Sequence, residues 1–142
     1  MIAVDTNVLV YAAIASSERH SRASAILLKL AEGAEGWAIP WPCLYEFLRV
    51  VTHPRVYSPP MPLKKARAAV AEIVRSPSLV LLSETDRHAA MLATVLSETD
   101  VVGNLMHDAH IAALCREYGV AEIITGDRDF LRFRGFKVTN PF

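Results

Sequence analysis

Four acidic residues in this sequence occupy positions where a packed core would be expected. Asp5 ends an apolar N-terminal run, and Asp127 follows a second apolar run late in the chain. Glu46 and Asp108 each interrupt a stretch whose apolar residues have helical spacing. A buried carboxylate is costly unless a positive charge compensates it. Four of them in one small domain therefore indicate a shared compensating group, and a divalent cation is the simplest one.

The residue types around these acids favour Mg²⁺ or Mn²⁺ as that cation. Carboxylate oxygens are hard ligands that suit these ions, whereas zinc sites are usually built from Cys and His. His107 and His110 flank Asp108, but we interpret them as residues of the helix surface rather than as ligands. Because such ions stabilise phosphoryl oxygens and activate water, the chemistry that fits is phosphodiester hydrolysis.

The elements that must position the acids are short apolar strands that alternate with helices. The pattern predicts strands at Ile2–Val4, Trp37–Pro40, Leu79–Leu82, Ala121–Thr125 and, at an edge, Phe136–Thr139. It predicts a helix that begins at Asp5–Asn7 and others at Arg19–Leu30, Pro42–Thr52, Leu63–Val74, Thr85 or Ser83 to Leu96, and Asn104–Tyr118, with a helical turn at Asp127–Phe133. This alternation indicates an α/β fold whose mainly parallel sheet is covered on both faces.

That fold would bring the acids to one edge of the sheet. Ligands of an open parallel sheet bind beyond the carboxyl ends of its strands, where Asp5 and Asp127 lie and where the following helices begin. Singly, each acid has an ordinary explanation: a helix cap for Asp5, a turn for Asp127, a first-turn acid for Asp108, and an intrahelical pair with Arg49 for Glu46. All four explanations would have to hold together, so we favour a shared site.

The composition fits one domain spanning residues 1–142, with 52% hydrophobic residues. Equal numbers of basic and acidic residues, 15 of each, leave no overall basic field to attract nucleic acid. Cys43 and Cys115 lie in apolar helical patterns and are expected to be reduced core residues. No signal peptide and no apolar run of membrane-spanning length is evident, so we expect a cytoplasmic protein with no membrane partner.

Several runs resemble the PIN-domain nucleases. They are Asp5-Thr6-Asn7-Val8-Leu9 at the N-terminus, Glu46 in a helix after the second strand, Asp108–Ala113, and Thr125–Phe130. In size and motif order the chain is similar to VapC-type toxins of toxin–antitoxin pairs. The resemblance implies a PIN-like three-layer α/β/α domain and an endoribonuclease that depends on Mg²⁺, with Mn²⁺ as a substitute. It also implies a homodimer that a small cognate antitoxin silences, with Asp5, Glu46, Asp108 and Asp127 as the catalytic and metal-binding acids.

Other polar residues are expected to support these acids. Asn7, Thr125 and Asn104 are candidates for orienting the carboxylates by hydrogen bonding. Asp129 is a candidate accessory acid, although its i+2 spacing in a helical turn points it away from Asp127 and favours a surface position.

The cations that follow Asp127 are expected to bind RNA phosphates, with a solvated surface as the alternative. These residues are Arg128, Arg132, Arg134 and Lys137. We interpret Trp37, Trp41 and Tyr45 as core or interface residues.

Two functions from other classes remain as alternatives. A receiver-like phosphoacceptor domain also has an acidic pocket at strand ends, but no lysine follows the Ala121–Thr125 strand before Lys137. A catalytically silent PIN-like module that binds only protein would usually lack some of the acids, and here all four are present.

Overall fold

The protein, described over residues 1–142 by a computed structural model, is built on a five-stranded, fully parallel sheet. The strands are β1 (Ile2–Val4), β2 (Trp37–Pro40), β3 (Leu79–Leu82), β4 (Glu122–Ile124) and β5 (Lys137–Thr139). Their spatial order is β3-β2-β1-β4-β5, which makes β1 the central strand. Strand β5 lies at an edge, as the sequence predicts for it. A receiver-like sheet has the order 2-1-3-4-5, and this difference excludes the phosphoacceptor alternative.

Helices cover both faces of the sheet and complete an α/β/α arrangement. They are α1 (Thr6–Ala13), α2 (His20–Glu32), α3 (Trp41–Val51), α4 (Leu63–Val74), α5 (His88–Glu98) and α6 (Leu105–Glu117), with a 3₁₀ helix at Arg128–Arg132. Because both faces are covered, β2 is buried along its whole length, as expected for a central parallel strand. None of these helices has the length and apolar character needed to cross a membrane.

Helix α6 packs deep in the molecule and begins at the carboxyl edge of the sheet. Ala109, Ala112 and Ala113 are fully buried, and their small side chains let the helix approach the sheet closely. The helix ends at Glu117 and is followed by Gly119, whose φ of 64° lies in the left-handed region that favours glycine. The N–H of Val120 then bonds to the carbonyl of Cys115, which completes a Schellman ending.

Helix α5 begins later than its capping residues predict. The sequence favours a start at Ser83 or Thr85, whereas the first helical residue is His88. The Thr85 hydroxyl accepts a bond from the N–H of Arg87 and donates to Glu117, so it forms a local turn rather than a helix cap. A tertiary contact has therefore replaced the local signal.

The three aromatic residues at positions 37, 41 and 45 do not share one environment. Trp37 is in the core, but Trp41 and Tyr45 are 40% and 71% exposed, so a core position is wrong for these two. Helix α3 turns its other face inward, with Cys43, Leu44, Phe47 and Val51 buried. The helical period therefore directs Trp41 and Tyr45 toward solvent.

Candidate active site

A cavity of about 880 Å³ opens at the carboxyl edge of the sheet, and all four candidate acids line it. Asp5 directly follows β1, and Asp127 lies three residues after β4. These two strands are paired, and Val4 at the end of β1 lies beside Ile124 at the end of β4. Helix α6 carries Asp108 in its first turn. The parallel sheet thus joins groups that are about 120 residues apart in the chain.

Asp5 is the most buried of these acids, with 5% of its surface exposed. It is the N-cap of α1, and its Oδ1 accepts a 2.7 Å hydrogen bond from the N–H of Thr6. Its Oδ2 accepts from Asn7 Nδ2 at 2.6 Å and from Thr125 Oγ1 at 2.6 Å. Burial raises the pKa of Asp5 above its ordinary value, and the negative charge of Asp127 adds to this rise against the opposing hydrogen bonds.

Asn7 and Thr125 hold the Asp5 carboxylate in place from two different elements. Thr125 is fully buried, and its hydroxyl also accepts bonds from Asn7 Nδ2 at 3.0 Å and from the N–H of Asp127 at 2.9 Å. Asn7 Oδ1 accepts from the N–H of Gly126 at 2.8 Å, which ties the end of β4 to α1. Both residues therefore make the carboxylate contacts that the sequence predicts for them.

Three carboxylates meet beside Asp5. Asp108, Asp127 and Asp129 each offer an oxygen, and the three oxygens lie within 4.8 Å of one another. Burial, and to a smaller extent the negative charges of Asp127, Asp5 and Asp129, together raise the pKa of Asp108 to about 7. Like charges held this close repel one another, so the cluster favours either a proton or a cation.

Asp129 lies in this cluster, and its predicted orientation away from Asp127 is wrong. The i+2 argument requires both residues to be helical, but Asp127 is the N-cap of the 3₁₀ helix and has an extended backbone. Its Oδ1 accepts a 2.8 Å bond from the N–H of Asp129, which folds the two residues together. A cap geometry has replaced the helical period at this point.

Glu46 reaches the cavity wall but does not join the cluster. Arg49, one turn later on α3, binds both of its carboxylate oxygens, at 2.9 Å and 2.6 Å. The hydrogen bonds from Arg49 hold the pKa of Glu46 below its ordinary value. The convergence predicted for this acid is therefore incomplete, because the alternative intrahelical pair has formed.

Asn104 also lines the cavity, but its side chain makes no hydrogen bond to a carboxylate. It occupies the N-cap position of α6 with a helical backbone and is exposed, so the predicted support of Asp108 is absent. His107 lines the cavity as well, as do Tyr11 and Tyr57. His107 is adjacent to Asp108 in the chain, and Tyr11 lies one helical turn after Asn7 on α1, whereas nothing in the sequence links Tyr57 to this site.

The predicted RNA-binding cations divide into two groups. Arg128 directly follows Asp127, and Arg132 Nε lies 3.3 Å from Asp129 at the cavity. Lys137 begins β5 beside Glu122, at the amino edge of the sheet and opposite the acids. Arg134 adjoins Gly135, which packs against the last turn of α6 at that same edge. A single basic rim around the cavity is therefore wrong, because β5 carries the chain away from it.

The chain is similar to known proteins along nearly its whole length. The PIN domain family matches residues 2–135. Ribonuclease VapC37 of Mycobacterium tuberculosis (strain ATCC 25618 / H37Rv) is 38% identical over 138 residues, which cover 97% of this chain and 95% of that protein. Ribonuclease VapC33 of the same strain is 36% identical over 141 residues, which cover 99% of this chain and 98% of that protein.

Solved structures show the same architecture. A chain of VapBC2 from Rickettsia felis, bound to a DNA fragment from their promoter, matches with a TM-score of 0.71 and 19% identity over 99% of this chain and 98% of that one. Mycobacterium tuberculosis VapC20, described as a Sarcin-Ricin loop cleaving toxin, matches with a TM-score of 0.68 and 21% identity over 96% and 99%. At these identities the likeness concerns the fold alone.

Proposed function

Because the chain belongs to the PIN domain family, we propose that it is a metal-dependent endoribonuclease and the toxin of a toxin–antitoxin pair. Ribonuclease VapC37, which is 38% identical to this chain, supports RNA cleavage as the reaction. The observation that carries the proposal is the meeting of Asp108, Asp127 and Asp129 within 4.8 Å beside the buried Asp5. We propose residues 1–142 as a single nuclease domain.

The donor set fits a hard divalent cation. Asp108, Asp127 and Asp129 would hold it, with Asp5 beside them and Glu46 available once Arg49 releases it. The raised pKa of Asp108, about 7, supports the fit, because burial and the neighbouring carboxylates disfavour its charged form and no cation compensates them. Bound there, Mg²⁺ or Mn²⁺ would offset charge on the phosphoryl oxygens and promote ionisation of a water ligand.

The chain's own residues have separable roles in this proposal. Asn7 and Thr125 hold Asp5 in one rotamer, so its oxygens present a constant geometry to the site. Asp127 is held as a cap by the N–H of Asp129, which keeps their carboxylates together. Arg128 directly follows Asp127 in the chain, and we propose that it binds a phosphate of the substrate.

We expect the purified protein to cleave RNA only when Mg²⁺ or Mn²⁺ is present. The physical reason is the oxygen-only donor set, which has no cation of its own to offset phosphate charge. A gel assay with each ion, with excess EDTA, and with EDTA followed by added Mg²⁺ measures this requirement. An Asp5→Asn protein purified in parallel controls for contaminating nuclease, and undiminished cleavage in EDTA would contradict the proposal.

We expect Arg128 and Arg132 to bind the RNA backbone, and Arg134 and Lys137 to contribute less. Changing the first pair to Ala should flatten the slope of log K against log salt by roughly 0.7 per lost phosphate contact. The same change to the second pair, at the opposite edge of the sheet, is the matched control. A non-cleaving Asp5→Asn protein allows the titration, and equal slopes for the two pairs would place the RNA elsewhere.

We propose a homodimer and a small cognate antitoxin as the protein partners. Exposed apolar side chains support a further interface, notably Leu28 at 58% and Leu63 at 59% exposure on α2 and α4. The solved VapBC2 assembly from Rickettsia felis supports an antitoxin by its fold likeness. Light scattering of the isolated chain at micromolar concentration tests the dimer, and a monomer there would contradict it.

A catalytically silent PIN-like module that binds only protein is the alternative. It would retain the fold and the partner surface but would cleave no RNA with either ion. The presence of all four family acids and of Asp129 in one cavity favours the enzyme.

A further inference from the structure

A second group of metal-ligating side chains lies away from the acidic cavity, between α5 and α6. Glu84 follows β3, His88 is the first residue of α5, and His110 is on α6. Each offers one ligand atom, and these atoms lie within 4.8 Å of one another. The His110 Nε2 is 2.7 Å from Glu84 Oε1, and the two imidazole rings are 5.3 Å apart in an edge-to-face arrangement. None of the three residues lines the acidic cavity.

A buried carboxylate orients His88 in this group. Glu117 has a fully buried side chain, and its Oε2 lies 2.6 Å from His88 Nδ1. Its Oε1 accepts from the N–H of Thr85 at 3.2 Å and from the Thr85 hydroxyl at 2.6 Å. Burial raises the pKa of Glu117, but the bonds from His88 and Thr85 lower it more, so the carboxylate is ionised and only accepts.

This contact determines which nitrogen of His88 is free. Because the ionised Glu117 can only accept at Nδ1, a neutral His88 imidazole carries its proton there and leaves the lone pair of Nε2 free. Metal-binding imidazoles are typically held in this way, with the second nitrogen donating to a carboxylate. His88 is therefore held by a buried carboxylate whose other oxygen is also bound, which supports a role for this imidazole as a metal ligand.

We propose that Glu84, His88 and His110 form a site for a borderline divalent cation of the zinc class, separate from the acidic site. Two imidazoles and one carboxylate with an open position match Zn²⁺, whereas Mg²⁺ prefers oxygen ligands alone. The side chains of Glu84 and His110 are 53% and 34% exposed, so an ion can enter from solvent. Binding would replace the hydrogen bond between His110 Nε2 and Glu84 Oε1 with bonds from both atoms to the ion.

The bound ion would join the β3–α5 loop and the start of α5 to α6. Helix α6 also carries Asp108, two residues before His110. An ion that binds only the folded chain stabilises it by mass action. The site is independent of the proposed nuclease activity, because its residues lie outside the acidic cavity.

The test uses Co²⁺ as a spectroscopic probe, on the full chain carrying Asp108→Asn and with excess Mg²⁺ to occupy the remaining oxygen ligands. We expect a visible absorption band stronger than that of aqueous Co²⁺, displaced by one equivalent of Zn²⁺. His110→Gln and Glu84→Gln should each weaken Co²⁺ binding by about 10-fold to 100-fold or more. His107→Gln, one turn earlier on α6, is the matched control and should bind Co²⁺ like the parent.

Thermal unfolding provides a second measurement, which does not depend on the Co²⁺ absorption band. Zn²⁺ at about 100 times its Kd should raise the Tm of the parent by roughly 5 to 10 °C, and the rise should be absent in Glu84→Gln. Because Glu84 is exposed, Glu84→Gln is expected to fold normally, and circular dichroism checks that it does. The proposal is overturned by the absence of both the band and the Tm rise, by their persistence in His110→Gln and Glu84→Gln, or by their equal loss in His107→Gln. The group would then be an ion-pair network only.

Discussion

Replacing Asp108 with Asn is expected to slow RNA cleavage by about 10³-fold or more while the protein remains folded. Metal ions contribute several kcal/mol to stabilising charged transition states, which corresponds to a loss of that size. Asn keeps the shape of the side chain but removes the charge that would attract the cation. Single-turnover cleavage with saturating Mg²⁺ measures the effect, with Asp86→Asn, an exposed acid outside the cavity, as the matched control.

The same substitution is expected to stabilise the metal-free protein above neutral pH. Burial and the neighbouring carboxylates raise the pKa of Asp108 from 3.8 to about 7 in the folded state. Between these two values the folded chain keeps a proton that the unfolded chain releases, so stability falls as pH rises through this window. Asn carries no charge, so this fall should be smaller in the variant.

The expected gain above neutral pH is roughly 1 to 2 kcal/mol, after allowing for solvent screening of a half-exposed group. Unfolding in EDTA at about pH 5 and about pH 8 measures it, because the difference between parent and variant should be larger at the higher value, above the whole window. Near-parental turnover would show that Asp108 is not part of the catalytic site. An equal pH dependence in both proteins would show that its charge is already compensated in the folded state.

Replacing Thr125 with Val is expected to destabilise the protein by about 2 to 4 kcal/mol. The substitution keeps the shape of the side chain but removes a hydroxyl that donates to Asp5 and accepts from Asn7 and from the N–H of Asp127. Asp5 is 5% exposed, so its carboxylate would lose a donor where water cannot replace it. Denaturant unfolding at neutral pH, without added metal, measures the change.

Thr139→Val provides a matched control in the adjacent strand. Thr139 pairs with Ile124 in the sheet, and its buried Oγ1 has no hydrogen-bond partner. Removing that hydroxyl should be neutral or stabilising by up to about 1 kcal/mol, because no hydrogen bond is lost. If the two substitutions had the same effect, the stability would depend on strand packing rather than on the Thr125 network.

The sequence alone was enough to predict the parallel sheet, most element bounds and the edge at which Asp5 and Asp127 meet. Strand alternation, helical period and caps are local properties, and the rule for ligands at carboxyl strand ends converts them into a shared location. The resemblance to PIN-domain nucleases added the order of the motifs. Asn7 and Thr125 were predictable as supporting residues because they lie within two residues of Asp5 and Asp127.

Only the tertiary structure decided which side chains share a contact. Asp129 enters the cluster because Asp127 caps the turn, and Glu46 remains outside because Arg49 binds it. Glu117 reaches His88 across 29 residues, and no local pattern marks that contact. Periodicity states which face of its own element a residue occupies, but pairing between elements depends on backbone geometry that only the packed chain provides.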